Sequence, residues 1–155
     1  MNRYEVLLIR FGLLYLVLTA VFGVLFMLQP QLAAYFRVTH VHLGFLGFFL
    51  SLVMGVAYWM MPRPGGMRQE RATAATFYLH NAGLVLRSIG EPWFRYAGGL
   101  APQAVTAAGG VASLAAIVIF AVAMFRRVRT AEEIQNLHRS ARLEREAAEK
   151  INQRM

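Results

Sequence analysis

Apolar residues fill this chain in four long runs, each closed by a clear break. The runs cover about residues 6–28, 40–61, 72–89 and 99–125. The first stops at Gln29, Pro30 and Gln31, and the second at Pro62, Arg63, Pro64, Gly65 and Gly66. Gly90 and Pro92 close the third, and Arg126, Arg127, Val128 and Arg129 the fourth. About 20 apolar residues carry a helix across a bilayer, and lipid accepts only helices or closed barrels. The runs lack the period-two alternation of a barrel strand. The pattern therefore predicts an all-α protein: an integral membrane four-helix up-and-down bundle in residues 1–129, then a cytoplasmic amphipathic C-terminal helix in residues 130–155. The first run has the basic start of a signal peptide, but it is too long and offers no small-residue cleavage site.

The tail carries its own start signal. Thr130 followed by Glu133 reads as a capping box. Ile134, Leu137, Ala141, Ala148 and Ile151 then recur at three-and-four spacing, interrupted by Glu144. A solvated helix, a short contact between copies and an interfacial helix are all compatible with this stripe. His138 lies among its charged residues, where a solvated role suffices.

Composition supports the membrane reading. Hydrophobic residues make up 57% of 155, and only 15% are charged. The net charge of +8 is confined to the ends and the gaps, so it does not describe a nucleic-acid binder. No cysteine is present, which excludes disulfides, thiolate metal sites and a cysteine nucleophile. Thirteen of the 16 Lys and Arg fall at the N-terminus, between runs two and three, or after run four. The other two gaps hold Arg37 and Arg95 alone, and Arg87 lies near the end of the third run. By the positive-inside rule this predicts cytoplasmic N- and C-termini in a bacterial-type inner membrane.

No phosphate-binding loop, serine-hydrolase elbow or zincin motif is present. The candidate chemistry is what interrupts the apolar runs: His40, His42, His80, Arg87 and Glu91. Ionisable residues at membrane depth are functional candidates by default, although an imidazole at the interface is also content with a backbone carbonyl, water or a headgroup. His40 and His42 differ by about 200° on a helix and so face opposite ways. His80 and Arg87, seven apart, share a face, and Glu91 is placed to pair with Arg87. With the second and third helices antiparallel, Arg87 falls near the level of His42, and His80 about 10 Å deeper. One site joining His42 to His80 is therefore strained. A low-spin haem would use such a set, with neutral imidazole on iron and Arg87 on a propionate. Gly44, Gly47, Ser51 and Gly55 form a small-residue face, suited to close helix packing or to a flat cofactor. Ala107, Ala108, Gly109 and Gly110 are likewise suited to close contact.

Residues 37–63 resemble the second transmembrane helix of subunit I in the haem-copper oxidase superfamily, most closely the cbb3-type oxidase and nitric oxide reductase branch with its small stand-alone homologues. The shared features are Arg37 three before His40, a glycine-bearing apolar run, Tyr58 and Trp59, then Pro62 and Arg63. The likeness extends weakly over residues 77–93. It implies a haem b site with His40 as axial ligand, and metal-ligating roles for His40, His42 or His80. His42 falls where branch members often carry asparagine. The late helix that bears the family's second axial histidine is absent, as are the copper-site histidines, so no oxygen or nitric oxide reduction by this chain alone is expected. The implied role is electron transfer, haem or nitric oxide handling, or service as an accessory subunit of a respiratory complex, with a second copy or other subunits as partners. The rival expectation is a cofactor-free structural or assembly subunit. A transporter role is weaker, since no broken-helix pair is evident.

Overall fold

The computed structural model describes residues 2–61, 70–125, 127, 128 and 131–152. The described residues are almost wholly helical and contain no strand. The helices are α1 (Arg3–Leu28), α2 (Pro30–Met60), α3 (Glu70–Ala97), α4 (Leu100–Phe125) and α5 (Ala131–Asn152). Among them α1, α2 and α4 are long and apolar enough to cross a membrane. Thr130, the expected cap of the tail helix, lies outside the described residues. The described side chains of α5 are exposed.

Local chemistry sets the helix ends. The Asn2 side chain accepts from the Tyr4 N–H at 3.3 Å, and Glu5 accepts from the Asn2 N–H at 2.7 Å. This reciprocal cap satisfies two amides that a helix start leaves open. Two boundaries differ from those expected. α2 begins at Pro30, ten residues before His40, because proline at the first helical position starts a helix as readily as it stops one. Both histidines therefore sit well inside α2. α3 passes through Gly90 and Pro92 and ends at Ala97. Pro92 removes only the one N–H that would meet the Ser88 carbonyl. The true stop is Gly98 and Gly99, with φ of 63° and 92°, values that favour glycine. The Gly98 N–H closes the last turn on the Phe94 carbonyl at 2.9 Å.

α2 is not uniform. Ala33–His42 and Ser51–Met60 are α-helical, and Leu43–Leu50 between them is a π-helix. The widened stretch lies where α2 is wedged between neighbours: a Cβ on Gly47 would stand 2.8 Å from the Tyr15 ring and 3.0 Å from Leu84.

α1 packs along α2, α2 meets α3, and α3 and α4 form a tight hairpin. The small-residue face of α2 is covered by α1. Gly47 meets Tyr15, Gly55 meets Leu8 and Ile9, and Gly44 meets Thr19. That face packs against a helix. In the hairpin, a Cβ on Gly109 would stand 2.7 Å from the Gly83 carbonyl, so the two backbones touch. One core gathers Tyr4, Leu8, Met54, Tyr58, Phe77, Ala123 and Met124. A second, further along, holds Tyr15, Leu43 and Leu84.

A polar cluster between the second and third helices

α3 buries a mixed side, in which polar residues stand beside Phe77 and Leu84, and exposes a largely apolar one. Thr73, Thr76, His80, Asn81 and Glu91 are buried, whereas Tyr78, Val85, Ile89 and Trp93 are exposed. Most of the chemistry-bearing residues picked from the sequence therefore face neighbouring helices.

Three of them meet. Glu91, only 6% exposed, receives the Arg87 Nε–H at 2.9 Å. Its carboxylate also lies 2.9 Å from His42 Nδ1, and Arg87 Nη2 lies 2.8 Å from His42 Nε2. Arginine can only donate, so Nε2 is the acceptor. The imidazole is then neutral, and its Nδ1–H donates to Glu91. The tautomer follows from the partners on either side. Thr39 Oγ1 approaches Glu91 from α2 at 3.5 Å. The cluster closes a ring in which one positive and one negative charge neutralise each other and an imidazole bridges them. His42 and Arg87 remain 20% and 23% exposed.

The other two histidines go elsewhere. His80, fully buried, places Nε2 3.0 Å from the Leu46 carbonyl. A carbonyl only accepts, so Nε2 carries the proton and Nδ1 is a bare lone pair; no hydrogen-bond partner reaches it. Leu46 belongs to the π-helical stretch, where the altered backbone ladder turns a carbonyl toward a side chain. His40 turns away from His42, as two-residue spacing on a helix dictates. Its ring packs edge-on against Phe26 of α1 at 5.4 Å, and its Nδ1 is buried without a partner. The structure thus joins His42 and Arg87 and separates both from His40 and His80. Among the described residues no three His, Cys, Asp or Glu side chains converge as a metal group.

Further polar contacts had no local signal. Tyr15 of α1 donates to Asn81 of α3 at 2.7 Å, across 66 residues of sequence. The Tyr58 and Thr76 hydroxyls meet at 3.0 Å. Arg127, which reads as one more tail charge, is buried. It donates to the Tyr58 carbonyl at 3.0 Å, and its guanidinium lies 5.2 Å from the centre of the Tyr58 ring. Pairs of this kind depend on how helices align, which a single sequence does not encode locally.

Beside the cluster opens a cleft of about 430 Å³, lined by Val38, Arg87, Glu91, Phe94, Arg95 and Thr106. Arg87, which lines the cleft, commits Nε and Nη2 to the ring and leaves Nη1 uncommitted. Arg95 is exposed and makes one long contact, 3.5 Å, to the Ala34 carbonyl. The Thr106 hydroxyl donates back to the Pro102 carbonyl at 2.9 Å. Chemically the arrangement can clamp α2 to α3 and can present cationic N–H donors to an anion. It holds no activated nucleophile. No family model, no curated protein and no solved structure matches the chain.

Proposed function

We propose that this chain is an integral membrane protein whose helices α1–α4 all span the bilayer, with both termini cytoplasmic, and that it serves as a cofactor-free structural or assembly subunit of a larger membrane complex. The resemblance in residues 37–63 makes a respiratory complex the expected setting. The observation that carries the reading is the inverted build of α3. A water-soluble helix turns its polar side outward; α3 hides Thr73, Thr76, His80, Asn81 and Glu91 alongside Phe77 and Leu84, and exposes Tyr78, Val85, Ile89 and Trp93. Its neighbours expose apolar stripes of their own, Val41, Phe45, Phe49 and Val53 on α2 and Val111, Leu114, Val118 and Val122 on α4. In hydrocarbon a polar side chain is retained where another helix answers it. Tyr15 with Asn81, Tyr58 with Thr76, and His42 with Arg87 and Glu91 are such answers. Their common effect is to hold helices in register.

Haem b, which the resemblance implies, is not favoured by this arrangement, because His40, His42 and His80 each turn to a different neighbour: Phe26, the Arg87–Glu91 pair and the Leu46 carbonyl. His42 offers iron no free Nε2, because Arg87 donates to it. His80 donates its Nε2–H to Leu46 and keeps Nδ1 unpartnered, His40 likewise keeps a buried, unpartnered Nδ1 against Phe26, and the small-residue face of α2 lies under α1.

The test is a reduced-minus-oxidised difference spectrum of the full chain, purified in detergent from carbonate-washed membranes. The expected result is retention in the washed membranes and a flat spectrum in the purified protein. A b-type Soret and α band that vanishes in His40→Ala, His42→Ala or His80→Ala would replace the cofactor-free reading by a haem-binding one, and release by carbonate would overturn the membrane reading.

A further inference from the structure

We infer that the cleft between α2, α3 and α4 is a binding site for the phosphate of an anionic phospholipid. This rests on the membrane reading above, which brings the cleft to the bilayer surface at the end where α3 turns into α4. The wall charges are Arg87, Arg95 and Glu91. Glu91 is already neutralised by Arg87 at 2.9 Å, so an incoming group meets an excess of one positive charge. The donors point the same way. Arg87 is held by the cluster through Nε and Nη2, which fixes its guanidinium plane and leaves Nη1 for a ligand. Arg95 gives up only a 3.5 Å contact to Ala34, so its fork is free to close on an oxyanion. A phosphate diester offers acceptor oxygens to both guanidinium groups, the geometry arginine recognises best. Val38 and Phe94 supply an apolar wall for the glycerol backbone and the first methylenes. The volume of about 430 Å³ suits a headgroup, at the small end of ligand pockets.

The cluster thereby gains a second role. His42 and Glu91 hold Arg87 still, and a preorganised guanidinium loses less freedom on binding. They act as positioning residues for the headgroup contact.

The experiment is native mass spectrometry of the full chain in detergent, titrated with dioleoylphosphatidylglycerol, dioleoylphosphatidylcholine or inorganic phosphate. One phosphatidylglycerol per chain should survive collision energies that strip phosphatidylcholine. Arg95→Gln should lower its occupancy about tenfold, the loss of one charge-assisted contact. Arg37→Gln removes an equal charge from α2 but lies outside the cleft lining, so occupancy should not change. Equal retention of the two lipids, or equal loss in both variants, overturns the site. Displacement of the lipid by millimolar inorganic phosphate overturns the lipid assignment in favour of a free anion. Carbonate extraction tests the membrane reading separately, so a failed lipid site leaves that reading standing.

Discussion

Replacing Glu91 by leucine should unmask what the cluster contributes. Glu91 is 6% exposed and takes a bond from Arg87 and another from His42, each at 2.9 Å. Removing it strands the Arg87 charge among helices and leaves the Nδ1–H of His42 without its acceptor. Breaking a fully buried pair from one side costs about 3–5 kcal/mol. Arg87 and His42 retain about a fifth of their exposure, so some solvation survives and the lower end applies, about 3 kcal/mol. At about 2–4 °C per kcal/mol for a chain of this size, Tm should fall by about 6–12 °C. The double variant Arg87→Leu with Glu91→Leu removes both charges and should recover part of the loss, ending about 1–2 kcal/mol below the parent, since an apolar pair replaces a desolvated ionic one with little net change while His42 is left without either partner. The assay is thermal unfolding in one detergent, followed by the far-ultraviolet circular dichroism of all four proteins in the cycle. Two results would refute the reasoning. One is a fall of less than about 2 °C for Glu91→Leu, below 1 kcal/mol on the same scale. The other is additivity, with the double variant as unstable as the two single losses summed, because coupled partners must deviate from additivity.

Gly109→Val should lower Tm strongly, because its branched side chain would start 2.7 Å from the Gly83 carbonyl, whereas Gly110→Ala meets no atom within 4 Å and should be neutral; unfolding in the same detergent separates them. A reporter fused after Met155 should read cytoplasmic and one inserted at Gln31 should read the opposite side, in keeping with the arginine asymmetry.

Chain pattern alone determined a good deal of this protein. Long apolar runs without period-two alternation pointed to helices, and three of the helices formed are long and apolar enough to cross a membrane. Spacing on a helix was enough to turn His40 away from His42 and to pair Arg87 with Glu91 four residues on, since both follow from 3.6 residues per turn. α2 starts earlier and α3 ends later than the apolar runs, because proline at a helix start costs nothing and one lost hydrogen bond near a helix end is tolerated. Only the tertiary structure decided where the polar groups go. That His42 Nε2 accepts from Arg87 and not from elsewhere, that His80 finds the Leu46 carbonyl of a π-helical turn, and that Tyr15 meets Asn81 are consequences of helix alignment over tens of residues. α3 marks the boundary between the two kinds of knowledge. Averaged along its length, its apolar and polar faces dilute each other, and it falls short of the span-forming apolarity of α1, α2 and α4. Once its neighbours are in place, Thr76, Asn81 and Glu91 turn to partners on α1 and α2 beside the core residues Phe77 and Leu84, while Tyr78, Val85, Ile89 and Trp93 face outward, because each buried polar group is stabilised only where another helix brings it a partner.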